Sequence, residues 1–202
     1  MAYGTALGSA GPELSRIMKG CETNHTDREF LLKNARGIIG LCSRSIVSVH
    51  RGDTEQGARH LDKARTLLKK YKVKAGKDGL RQYLAVPEQE ITEAACLIAV
   101  VRKKRIPTPR MLGVADIPYV LGLLDAIGEM KRLTLDMMRS GRTGEAERIF
   151  EITVEMYDEL AGFAVYGNSV KDVRKKIDVA RITIDGMRSV VAGAREGGAP
   201  LQ

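Results

Sequence analysis

Four acids stand out by type and spacing. Glu90 and Glu93 lie three residues apart in EQEITEAACLIAVV (Glu88 to Val101), and Asp125 and Glu129 lie four apart in LDAIGEM. Such spacings put each pair on one face of a helix. The run from Ala94 to Val101 is apolar nearly all round. Glu90 and Glu93 therefore extend a buried stripe with Tyr83, Val86, Leu97 and Val101 instead of occupying a polar face. Asp125 and Glu129 share their side with Gly122, Arg132 and Asp136, amid Leu121, Leu123, Leu124 and Ile127.

Two chemistries are open to such acids. Pairs at these spacings are commonplace on helices and mostly form solvated ion pairs. Four carboxylates converging on an apolar setting would instead repel one another, and ionised carboxylates are costly to bury. A bound hard divalent cation resolves both problems, and oxygen-only ligation suits Mg2+ or Mn2+. Other site chemistries find less support. A di-iron bundle site needs two Glu-x-x-His motifs, and the chain has one, Glu22 to His25, read as coincidental. His50 and His60 have no partner acid pattern and read as helix-end and surface residues. Neither a phosphate-binding G-x-x-x-x-G-K-[ST] loop nor a G-x-S-x-G nucleophile elbow occurs.

The elements that would position these acids are helices. Apolar residues recur at three- and four-residue spacing nearly throughout, without strand-like alternation. About six helices are expected, mostly long and antiparallel, in one all-α domain over residues 13–195. Residues 1–12 read as a flexible leader and 196–202 as a flexible tail. The first helix runs from about Glu13 to His50, with a break near GCETNH as an option, and stops at HRGD. A second spans about Asp53 to Lys72, with Asp53 or Thr54 as cap. The third follows KAGKDG, with Pro87 as a kink or restart, and continues to about Ile106, where PTPR ends it. The fourth runs from ADIPY, capped by Asp116, to Arg139. The last two cover about Gly144 to Phe163 and Val170 to Ala194. Short connections make neighbouring helices antiparallel.

Composition agrees with such a bundle. The 202 residues carry 44% hydrophobic side chains, no Trp and three Phe, which predicts an aliphatic core. No run approaches the roughly 18 apolar residues of a membrane span, and the N-terminus lacks the pattern of a signal peptide. Cys21, Cys42 and Cys96 are odd in number and lack C-x-x-C spacing, as expected of reduced thiols in a cytoplasmic protein. Net charge is +8, with cationic runs KKYKVKAGK, RKKR and KDVRKK. These runs leave open plain solubility and a polyanionic partner such as nucleic acid.

At the two acid helices the chain resembles the translin superfamily, specifically its archaeal translin-associated factor X branch. The residues that carry the resemblance are Gln89-Glu90-Ile91-Thr92-Glu93-Ala94 and Pro118-Tyr119-Val120-Leu121-Gly122, with Asp125, Gly128-Glu129 and Arg132. HRGD and GRTGEAERI are similar to archaeal members as well, and the likeness covers about Asp27 to Ala194. Pro118 departs from the family pattern, in which an acid often precedes the tyrosine. The resemblance implies an all-α bundle assembled into a hollow homo-octameric barrel that binds RNA and single-stranded DNA. It further implies an Mg2+-dependent endoribonuclease with Glu90, Glu93, Asp125 and Glu129 as metal ligands and catalytic acids. The alternative is a non-catalytic nucleic-acid scaffold of the translin type. Arg132, one turn past Glu129, is expected to orient a carboxylate or touch phosphate. Arg81, Arg102 and Arg105 are expected to flank the acid helix and contact the nucleic-acid backbone.

Overall fold

In the computed structural model, which describes residues 8, 10–76 and 79–197, seven α-helices and no strand occur among the described residues. Most of the leader expected at 1–12 and of the tail expected at 196–202 lies outside them.

Helix α1 (Ala10–His50) is unbroken, so the optional interruption near GCETNH does not form. Gly20 alone is too weak a breaker inside so long a helix. Its first four turns are solvent-exposed, and packing begins near Asp27. From there Leu31, Ala35, Ile38, Cys42, Ser45, Ile46 and Val49 form one buried stripe. Gly52, at φ 84°, turns the chain, and Asp53 caps α2 (Thr54–Ala75) by accepting from the Gln56 N–H at 2.9 Å. The two helices meet closely at Gly57, where an added Cβ would stand 2.9 Å from Val49 and 3.0 Å from the Ser45 carbonyl. Ser45 Oγ in turn donates to the Gly57 carbonyl at 2.7 Å.

A 3-10 turn over Leu80–Leu84 leads into α3 (Ala85–Val101). Pro87 sits in the first turn of α3, where its missing N–H is no loss, so it neither kinks nor restarts the helix. The helix ends at Val101, earlier than the expected Ile106. Lys103 takes a left-handed φ of 55°, and the Lys104 N–H bonds back to the Ala99 carbonyl at 2.9 Å. PTPR then opens a short helix, α4 (Pro109–Leu112), instead of merely ending the previous one, with Thr108 as its cap.

Helix α5 spans Asp116–Arg139, and its cap position is Ala115, not Asp116. The cap function comes from a distance: Glu88 Oε2, in the first turn of α3, accepts the Ala115 N–H at 2.8 Å. Its other oxygen meets Lys72 Nζ at 2.5 Å, so this buried carboxylate ties α2, α3 and α5 together. Helices α6 (Thr143–Ala161) and α7 (Val173–Gly197) complete the bundle. The inward stripe of α7 is Val173, Ile177, Ala180, Ile184, Met187 and Val191. Helix α3 lies centrally, packed by α1, α2 and α5, which is why it is apolar nearly all round. Helices α6 and α7 cover the far side of α5.

Candidate active site

Helices α3 and α5 approach closely because Gly122 has no side chain. A Cβ there would stand 2.7 Å from Thr92 Cβ and closer still to the Gln89 carbonyl oxygen. This contact falls one turn before Asp125 and within one turn of Glu90 and Glu93. The absent side chain therefore sets the separation of the two acid pairs.

Asp125 Oδ2 accepts from Gln89 Nε2 at 2.5 Å, and its Oδ1 takes the ammonium of Lys176 from α7. Glu129 Oε2 lies 2.6 Å from His50 Nε2, at the last residue of α1. The His50 side chain is 3% exposed, and its Nδ1 lies 3.8 Å from Asp136 Oδ2. Glu90 and Glu93 have neither a hydrogen bond nor an ion pair among the described residues.

The electrostatics join all four acids. Burial pushes the Glu93 carboxyl up to about 8, and the charges of Glu90, Asp125 and Glu129 add to the rise against the pull of Lys176. Glu90 is raised by burial and by Asp125, with Lys176 opposing and Glu129 adding. Glu129 moves the other way, because the His50 hydrogen bond holds its carboxylate below the usual range, helped by the charges of His50 and Arg132. Beneath them, the buried Cys42 thiol is pushed up to about 12 by burial and by the fields of Glu90 and Glu93.

A hard divalent cation fits the donor chemistry of this site. Its ligands would be carboxylate oxygens, two of the acids lack any partner, and negative charge exceeds that of the one ammonium present. The side chains are not gathered as a finished cage, however. Among the described residues no group of three or more His, Cys, Asp and Glu is arranged to hold a metal. Lys176 and His50 draw Asp125 and Glu129 toward themselves instead.

Arg132 lies on the exposed rim beside Glu129, lining a hollow with Gly128, Lys131 and Asp136. The other three arginines flank α3 in the chain and make their contacts away from the acids. Arg81 Nε donates to the Gly76 carbonyl at 2.8 Å, and Arg102 pairs with Glu55 of α2 at 2.6 Å. Arg102 and Arg105 line a groove with Ala95, Ile98 and Ala99, on the face of α3 turned to α2. Arg102 follows Glu93 by nine residues, about half a turn out of register, so it meets α2 instead of the acids.

His50 is the helix-end residue expected, and it is also the buried partner of Glu129. Its position in HRGD was the available signal. In sequence Gln89 belongs to the family motif and Lys176 to a cationic run, and neither pattern shows that both meet Asp125. His25 and Glu22 sit on the exposed start of α1, and His60 pairs with Gln56 on α2, both away from the acids.

No protein-family model matches the chain. The uncharacterized protein MJ0175 of Methanocaldococcus jannaschii is 30% identical over 171 residues, covering 84% of this chain and 77% of that protein. AfC3PO, solved in complex with duplex RNA, superposes with a TM-score of 0.82 at 30% identity, over 91% of this chain and 96% of that one. A second AfC3PO crystal structure gives 0.80 at 30% identity, over 91% and 97%. The fold extends to apo-NeC3PO, with a TM-score of 0.78 at 20% identity over 90% and 96%. With sequence and fold in agreement over nearly its whole length, the chain belongs to the translin superfamily, among its C3PO-type, translin-associated factor X-like members.

Proposed function

We propose that the chain is an Mg2+-dependent endoribonuclease, with Mn2+ as a substitute, that hydrolyses phosphodiesters of short RNA at Glu90, Glu93, Asp125 and Glu129. The observation that carries this reading is the setting of Glu93, largely buried near three other acids and without a partner among the described residues: burial first, then the charges of Glu90, Asp125 and Glu129, raise its carboxyl to about 8. Such a cluster is unfavourable in a purely structural role and useful around a cation. The likeness to AfC3PO, solved with duplex RNA, supports RNA as the substrate class.

A cation held there would supply an activated water and neutralise charge on the phosphodiester oxygens. The chain's own residues have distinct tasks around it. Positive charge between Glu90 and Glu93 would favour their ionised forms, which couples their negative charge to loading of the site. Gln89 orients Asp125 through its amide, and His50 fixes the rotamer of Glu129. Arg132 stands at the rim, where its guanidinium can meet a substrate phosphate. Lys176 compensates Asp125 and is positioned to exchange that carboxylate for an incoming phosphate oxygen.

A homo-oligomer, by family analogy an octameric barrel, completes the reading. Exposed Leu14, Ile17 and Met18 on the free start of α1, and Val179 and Ile182 on α7, are surfaces for such assembly. Light scattering at 22.1 kDa, the monomer mass, would rule it out.

One observation favours a second reading, a non-catalytic RNA- and single-stranded-DNA-binding scaffold. Among the described residues no three acids are gathered for a metal, and Lys176 already neutralises Asp125. Cleavage of a labelled short RNA with and without Mg2+, beside Glu129→Ala, separates the two. The nuclease cuts only with Mg2+ and loses cutting in the variant while keeping helicity and RNA binding. Full cutting in EDTA, or none with Mg2+ or Mn2+, overturns it. A 2′,3′-cyclic phosphate product overturns the water-attack mechanism.

A further inference from the structure

On the side of α3 away from the acids, two adjoining grooves form one basic trench. The larger, of about 740 Å3, lies between α2, the turn before α3, and α4. Arg65, Lys69 and Lys72 enter it from one face of α2, Arg81 from the turn and Arg110 from α4, and Asp62 is its one acidic lining residue. The smaller, of about 320 Å3, shares Asp62, Arg65, Met111 and Leu112 with it and continues to Arg102, Lys104 and Arg105. Neither shares a residue with the hollows at Asp125 and Arg132.

Several of these cations are held in place. Arg65 donates to the Met111 carbonyl at 2.6 Å, Lys72 to the Gly113 carbonyl at 2.7 Å, and Arg102 pairs with Glu55. Arg65 Nε is nevertheless buried without a hydrogen-bond partner. Lys69, Lys104, Arg105 and Arg110 have no acceptor among the described residues and point to solvent. A solvated helix face would spread its cations outward along one element. This trench instead gathers them from α2, the turn, α4 and the end of α3 along a concave surface. The α2 set alone, residues 65, 69 and 72, runs along about 10 Å of helix. No aromatic ring lines either groove, so the recognition chemistry is charge and forked N–H donors, not base stacking.

We propose that this trench binds the phosphodiester backbone of a nucleic-acid strand at a site separate from the carboxylates. A strand is then held across α2 and α4 whether or not the acid site is engaged. The proposal depends on the RNA reading above only for the identity of the polyanion.

The test is binding of a labelled single-stranded RNA to the full chain, by fluorescence anisotropy, from about 50 to 200 mM salt. A Glu129→Gln background prevents cutting. In that background Lys69→Glu, Arg105→Glu and Arg110→Glu are combined, and circular dichroism checks that helicity is retained. At about 0.7 per lost phosphate contact on a single strand, the log–log salt slope should become shallower by about two. Affinity at the low-salt end should fall at least tenfold. Unchanged affinity and slope would overturn the trench, as would displacement of the RNA by poly-aspartate as effectively as by inorganic polyphosphate. Cutting by the wild-type chain is followed in parallel. Its absence beside trench-dependent binding would retire the nuclease reading and leave the trench standing.

Discussion

His50 Nε2 lies 2.6 Å from Glu129 Oε2, joining the last residue of α1 to the middle of α5 across 79 positions of sequence. The pair has no local cause. It forms because α1 packs beside α3, which itself packs on α5, with the imidazole almost wholly buried.

If Glu129 holds a cation, its orientation depends on this histidine. His50→Ala should raise the Mg2+ concentration needed for half-maximal RNA cutting by about 10- to 100-fold, as loss of an outer-shell partner typically does. His50→Gln, which retains a hydrogen-bonding end, should recover part of the loss. Equal Mg2+ titrations for wild type and His50→Ala, with both proteins folded, would remove His50 from the site.

Gly122 gives a prediction whose sign separates tertiary from local effects. Helix propensity alone says that Gly122→Ala stabilises α5 by up to about 1 kcal/mol. The close approach to Thr92 and the Gln89 backbone says the reverse, because the obstructing atoms include main chain that cannot step aside. Gly122→Ala should therefore lower stability by about 1–3 kcal/mol and weaken cation-dependent cutting by moving α5 off α3. A melting temperature equal to or above wild type would show that the contact is slack.

Glu93 sets the pH dependence of the cation-free protein. Burial and the neighbouring acids raise its folded carboxyl from the ordinary 4.5 to about 8. Between those values the unfolded chain has lost a proton that the folded chain keeps, so folding stability falls as pH rises through that window. Glu129, lowered by His50, acts oppositely: its contribution is present above the ordinary carboxylate range and is lost as pH drops through its folded value. Denaturant titrations in EDTA should show declining stability from about pH 5 to pH 8. Glu93→Gln should flatten that decline, and Mg2+ should restore most stability at the alkaline end. A flat profile in wild type would show that the four carboxylates do not repel.

Much of this molecule follows from local pattern. The three- and four-residue recurrence from Leu31 to Val49, and again from Val173 to Val191, places the helices and their buried stripes without knowledge of any partner. HRGD marks the end of α1, Asp53 the cap of α2, and the close packing of α3 is visible in its apolar run from Ala94 to Val101. The family motif around Glu90, Glu93, Asp125 and Glu129 is equally a matter of sequence.

Only the tertiary structure decided what those acids meet. Periodicity says which residues share a helix face, but it carries no information about which other helix that face turns toward. Lys176 reaches Asp125 across 51 positions, and Glu88, not Asp116, caps α5 from across the bundle. Arg81, Arg102 and Arg105 flank the acid helix in sequence, and the packing of α2 and α4 sets them along the grooves on the side away from the carboxylates. The acids themselves were legible from residue type and spacing. Their partners depend on how the helices pack, and that is set by long-range contacts such as the side-chain-free approach of Gly122 to α3.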